Sequence, residues 1–312
     1  MRAGEYCGKL GDGRKRLSGL TRRIPILIFT GIVLPDGEEA PLTENQMSAN
    51  LQINEADALR IEVSREICQR HALEWFQAMG WHLDQVSAHQ ARALLDLRAF
   101  RMVAEEDILS SDSQQDRLHQ WTYNLSSAFR GQAFSDGMPS IVQSVEEFQV
   151  PRSYLFDTLK AIESSVYGEP IRHWEDLKRY TFRRSASFSL AIPGILEMDA
   201  TGATDYFSRL AVGVGILELI QESGAWQNLG WTPVPLHWLQ ESRHSARQLL
   251  NGRGLRGYPE LIRRLAVQAI DQLGDLPEMP QGSSKVQGAV ESWVQQTLGT
   301  LHDVYANPSF VD

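Results

Sequence analysis

Residues 210–220, LAVGVGILELI, are apolar on nearly every face: Leu210, Ala211, Val212, Val214, Ile216, Leu217 and Leu219 point all round a helix, and only Glu218 interrupts them. A surface helix keeps a polar side, so a helix without one lies inside the protein with other helices packed around it. The chain on either side reads as those neighbours. After Pro151, the residues Leu155, Phe156, Leu159, Ile162 and Val166 fall at i, i+1, i+4, i+7 and i+11, one apolar side of a helix whose other side carries Asp157, Lys160 and Glu163. Further helices are expected over residues 56–79, 88–109, 113–129, 141–148, 174–196, 235–251, 259–273 and 285–305. Alternating apolar and polar runs flanked by turn signals are few, and no strand is needed. The expected fold is all-α, a single helical bundle.

A length of 312 residues with 42% hydrophobic and 22% charged residues suits one soluble globular core. Three parts are distinguished: residues 1–46 as an extension, residues 47–275 as the helical domain, and residues 276–312 as a connector and C-terminal helix. The connector, residues 275–284, holds two prolines, a glycine and two serines. The extension carries seven basic residues between Arg2 and Arg23, then the apolar run Ile24-Pro25-Ile26-Leu27-Ile28-Phe29. That run ends at Leu34, contains Pro25 and Gly31, and falls short of the roughly 20 residues a spanning helix needs; no small-x-small cleavage site follows. Met47 opens a polar lead into a helical pattern, so the extension is read either as poorly structured or as preceding the true start.

The net charge of -9 argues against a chain that wraps nucleic acid. Two cysteines, Cys7 and Cys68, can build neither a disulfide framework nor a four-thiolate zinc site, which points to a reducing compartment, the cytoplasm. There is no Walker-type phosphate loop, no strand-embedded dinucleotide fingerprint and no G-x-S-x-G elbow, and the eight histidines are scattered.

What remains is acidic. Glu218, Gln221 and Glu222 lie at i, i+3 and i+4, so three oxygen-bearing side chains share one face of an oily helix. Like charges one turn apart repel, and without water they need a cation or a proton, which makes magnesium a reasonable proposal; the alternative is a helix end where Glu222 reaches solvent before Ser223-Gly224. A second cluster, Glu105-Glu106-Asp107, closes another helix. Three consecutive acids point three ways, so at most one or two face a cavity, and a solvated charge run is the alternative.

Taken in order, these segments resemble the squalene/phytoene synthase family of head-to-head prenyltransferases. LLDLRAFRMVAEEDIL (residues 94–109) looks like the family helix that ends in its first aspartate-rich motif. MPSIVQSVEEFQVP (residues 138–151) is similar to the link that follows. HWEDLKRYTFRRSASFSLAIPGIL (residues 173–196) resembles the W-x-D-L-x-x-Y-C-R-x-S-A segment and points to the hopanoid-pathway squalene synthase branch. ILELIQESGAWQNLGWTPVP (residues 216–235) is placed like the second motif, N-x-x-x-D-x-x-x-D followed by G-R-x-Y-L-P, and ESRHSARQLLNGRGL (residues 241–255) fits the tail. The resemblance implies a bundle around a central cavity, in which two facing acidic motifs hold Mg2+ against the diphosphates of farnesyl or geranylgeranyl chains. It implies metal ligands among Glu105, Glu106, Asp107, Glu218 and Glu222. Substrate-side residues would be Gln221, Phe100, Tyr180 and Phe188, with Phe182 as a further wall; for each aromatic residue the alternative is a plain core position.

The departures are specific. Glu218 stands at the asparagine of the second motif, Glu222 at its first aspartate and Trp226 at its second; Trp231 and Pro233 replace the arginine and tyrosine that follow, and Thr181 replaces the cysteine after Tyr180. In the first motif Glu105 and Glu106, with Leu109, or Glu106 and Asp107, with Ser110, fall on the three aspartates. No catalytic residue is assigned. Two functions stay open: a divergent prenyltransferase acting on an isoprenoid diphosphate, and a catalytically impaired relative that serves as a binding or assembly subunit, with an intact family member as partner. Peripheral membrane contact stays open as well, since products so apolar leave into a bilayer.

Overall fold

The computed structural model describes residues 72–77, 83, 86–132, 138–223, 226, 229–242 and 258–308, the side chains of residues 186 and 187 excepted. The expectations for residues 1–46, for a start at Met47, and for residues 56–71 and 243–251 lie outside the described residues. Among those described, the regular elements are helical and none is a strand. They are α1 (residues 72–77), α2 (Ala88–Leu109), α3 (Gln114–Ala128), α4 (Met138–Glu147), α5 (Ser153–Val166), α6 (Trp174–Ser189), α7 (Ile192–Ile195), α8 (Ala203–Gln221), α9 (Leu236–Glu241), α10 (Tyr258–Gly274) and α11 (Ser284–Ala306).

Local chemistry sets the ends. The Ser87 hydroxyl accepts from the Gln90 N–H at 3.3 Å while the Gln90 side-chain oxygen accepts from the Ser87 N–H at 3.1 Å, a reciprocal cap that starts α2. Ser283 caps α11 by accepting from the Val286 N–H at 3.3 Å. The single helix expected over residues 174–196 is broken into α6 and α7. Pro193 sits in the first turn of α7; without an N–H, and with a ring that would clash with the carbonyl of Ser189, it cannot continue α6.

The apolar run at the end of α8 is buried from Leu210 to Ile220, as its all-round hydrophobicity requires. α8 packs on α6 and α10, α10 on α11, α5 on α6, and α2 on α4 and α6. Two glycines set how close α8 comes to its neighbours. A Cβ at Gly213 would lie 2.6 Å from Leu273 of α10, and one at Gly215 would lie 3.0 Å from Thr181 of α6. Only hydrogen at these two positions lets α6 and α10 approach this closely. Near α1, Trp75, Phe76, Phe188 and Trp293 pack edge to face at 5.2–5.9 Å, and full burial of each phenylalanine is worth about 1.5–3 kcal/mol. α11 belongs to the same apolar cluster as α8 and α10 through Val286, Val290 and Trp293. No helix among the described residues is long and apolar enough to cross a membrane.

Candidate functional site

The buried side of α2 carries charge: Arg98, Arg101 and Glu105 lie at i, i+3 and i+7 beside Leu94, Leu97, Ala104 and Ile108. That row faces α8 and α6. From α8 come Glu218 and, at its end, Glu222; from α6 comes Arg184, which is fully buried. Each of these six side chains would be costly to bury alone, so their contacts with one another decide whether the site is tolerable.

Arg184 is the hub. Its Nε donates to Glu105 Oε1 and its Nη2 to Glu105 Oε2, both at 2.7 Å, a two-pronged pairing that matches the guanidinium fork to the carboxylate. The same Nη2 donates to Glu222 Oε2 at 2.5 Å, and Nη1 lies 3.6 Å from Glu218 Oε2. Glu218 is held from the other side by Arg101, through a hydrogen bond to Oε2, and by Arg98, whose Nη2 is 2.7 Å from Oε1. The Arg98 guanidinium stacks on the Trp75 ring at 3.8 Å, and the Trp226 indole N–H donates to Glu222 Oε2 at 3.2 Å.

The electrostatics follow from this packing. Burial by itself would push the Glu218 carboxyl up, but Arg101, Arg98 and Arg184 outweigh it and bring it down to about 2. Burial lowers Arg98 to about 9, helped by the like charge of Arg101 and opposed by Glu218. Burial also works against the Arg184 cation, yet Glu105 and Glu222 hold its pKa well above the ordinary value. Glu222 is pushed up by burial, with Glu105 and Glu218 acting in the same sense and Arg184 against it. Three carboxyl groups thus meet three guanidinium groups, with Glu222, at the end of α8, the one that reaches solvent.

The five acids expected as metal ligands divide. Glu105, Glu218 and Glu222 converge. Glu106 is exposed, and Asp107 turns to α3, where Arg117 donates to its Oδ1 at 3.0 Å and the Trp121 indole to its Oδ2 at 2.6 Å. Gln221 is exposed. Phe100 packs on Trp121 with ring centroids 5.9 Å apart, and Phe188 lies in the aromatic cluster around Trp293. The Tyr180 hydroxyl is 2.9 Å from Ser165 Oγ, and its ring lies 5.1 Å from that of Trp231. Phe182 packs at the edge of the core. The three arginines were not singled out in the sequence, though a signal exists: Leu177, Tyr180, Thr181, Arg184 and Phe188 form one i, i+3, i+4, i+7, i+11 stripe, and an arginine on such a stripe is a buried cation in need of partners.

This donor set does not fit magnesium in its present state. Every converging carboxylate is already bound by a guanidinium, and among the described residues no three His, Cys, Asp or Glu side chains are placed to share one ion. An entering dication would displace arginines that are themselves buried and leave them unpaired. Nor do the two described cavities border the acids. One, of about 480 Å³, lies between α3 and α4 by Gln132, Pro139 and Gln143; the other, of about 200 Å³, lies by Ser164, Arg179 and Arg183.

A family model described as squalene/phytoene synthase matches residues 81–311. Among solved structures, the squalene synthase HpnC from Alicyclobacillus acidocaldarius is similar at 15% identity and a TM-score of 0.58, over 79% of this chain and 94% of that one. A dehydrosqualene synthase solved in complex with ligand is similar at 16% identity and a TM-score of 0.64, over 79% of this chain and 87% of that one. No curated protein sequence matches significantly.

Proposed function

Because this chain belongs to the squalene/phytoene synthase family, we propose that it is a member whose acidic centre has become self-neutralised and which works as a binding or assembly subunit beside an intact, isoprenoid-handling family member. The observation that carries this reading is the buried set of Arg98, Arg101 and Arg184 clasping Glu105, Glu218 and Glu222. Metal-assisted departure of diphosphate needs hard oxygen ligands with negative charge left over for the ion. Here that charge is spent on guanidinium groups of the chain itself. Support also comes from Trp226 and Trp231, both buried, with rings 4.9 Å apart; they put apolar surface where the resemblance leads one to expect a carboxylate and an arginine. The retained cluster holds α2, α6 and α8 together, which preserves the bundle as a docking body.

The test is direct. Incubated with farnesyl or geranylgeranyl diphosphate and magnesium, the purified chain releases no diphosphate above a protein-free blank, and it co-elutes with an intact family relative on size exclusion. Diphosphate release that Glu222→Ala abolishes would contradict the reading.

One observation favours a second reading, a divergent prenyltransferase. The three converging carboxylates come from the two helices that the resemblance identifies as motif-bearing. That reading requires the arginines to withdraw when substrate enters, and the same diphosphate assay decides between the two.

A further inference from the structure

Loss of motif acids is the obvious reason for such a centre to refuse a metal, but the geometry points to a different cause. Arg184 Nη2 lies 2.7 Å from Glu105 Oε2 and 2.5 Å from Glu222 Oε2, so a single nitrogen bridges carboxylates from α2 and from the end of α8. Those separations lie at the upper end of, or just above, the roughly 2.0–2.6 Å at which divalent cations take carboxylate oxygens, and the smaller, magnesium-like ions are held by one or two carboxylates with water filling much of the shell. The Arg184 side chain is fully buried, so its charge cannot leave the centre, and the Gly215 contact with α6 holds its helix in place.

We propose that Arg184 is the resident counter-ion of the two acidic helices, standing where a divalent cation would bridge Glu105 and Glu222, so that a single side chain rather than missing ligands closes the centre to metal. This deepens the self-neutralised reading above and rests on it. Glu218 is held chiefly by Arg98 and Arg101, with Arg184 Nη1 farther off at 3.6 Å. Removing the Arg184 charge leaves three carboxyl groups facing two guanidinium groups, with Glu222 stripped of its Arg184 pairing and Glu105 left with Arg101 Nε at 4.0 Å.

The consequence is a latent ion site that one substitution opens. Arg184→Gln keeps most of the volume and removes the cation. Loss of the free-ion signal of Mn2+ in electron paramagnetic resonance counts bound ions in the full-length protein. The wild type shows no stoichiometric binding, R184Q binds one Mn2+ per chain with an affinity at least about tenfold above the weakest that would be detected in the wild type, and adding Glu222→Gln to R184Q removes that binding. A merely structural role for Arg184 would change stability without producing a stoichiometric ion. If folded R184Q, judged by far-ultraviolet circular dichroism and a cooperative melt, stays silent to Mn2+, the inference is overturned and the proposed function stands. If the wild type binds as well as R184Q, both fall. Should R184Q fail to fold alone, it is refolded with Mn2+: recovery that depends on the ion supports the proposal, and no recovery overturns it.

Discussion

Glu105 and Asp107 lie two residues apart on α2, about 200° around the helix, and meet opposite environments. Glu105 turns inward to the fully buried Arg184, keeps only about a tenth of its side-chain surface, and becomes part of a six-charge centre. Asp107 turns outward to Arg117 and Trp121, where both partners of the ion pair keep about a third of their surface. The chemistry of the two carboxylates is nearly the same; what differs is whether water can replace the partner when it is lost. That difference predicts a steep gradient of mutational cost along one turn of helix.

The largest effect belongs to Glu105→Ala, which leaves Arg184 short of its two-pronged partner in a dry site. We expect a loss of about 3–5 kcal/mol in urea unfolding, the range for breaking one side of a buried ion pair. A cost near that of a surface residue would show that water reaches the cluster.

Next comes pH. The Glu218 carboxyl sits at about 2 in the folded protein against an ordinary 4.5, so its charge stabilises the fold fully above 4.5, and that contribution is lost as pH falls toward 2. The contribution amounts to about 3 kcal/mol. Stability measured against pH for the wild type and for Glu218→Gln should converge across this window. Glu222, pushed up, works in the opposite sense, so the single variant is the informative comparison. Parallel curves would remove Glu218 from the account.

Smaller effects complete the gradient. Asp107→Ala should cost about 1 kcal/mol, the upper part of the range for an exposed ion pair, and Glu106→Gln should lie within about 0.5 kcal/mol of the wild type because its side chain is exposed. An Asp107 effect as large as that of Glu105 would erase the contrast between the two faces.

Much of this was legible in the sequence. The helical order and the buried run at the end of α8 followed from the apolar period, which is local. The phase of α2 was legible too: Leu94, Leu97, Ala104 and Ile108 mark the inner face, and Glu105 lies beside them while Glu106 does not. The break after Ser189 was signalled by Pro193 but passed over, because the apolar pattern runs through it. The identity of the partners was out of reach. Arg184 is 79 residues from Glu105 and 38 from Glu222, and the spacing of acids within one helix cannot reveal a cation delivered by another. Within one helix the acids call for an external ion as counter-charge, whereas the chain supplies three cations of its own.

The most direct test of that internal balance is thermal unfolding of the wild-type protein in millimolar magnesium and in chelator. A specifically bound ion at about 100 times its Kd would stabilise the fold by about 2.7 kcal/mol and raise the Tm measurably. The same Tm is expected in both solutions. A Tm that climbs with magnesium, and no longer climbs in Glu105→Ala, would contradict it.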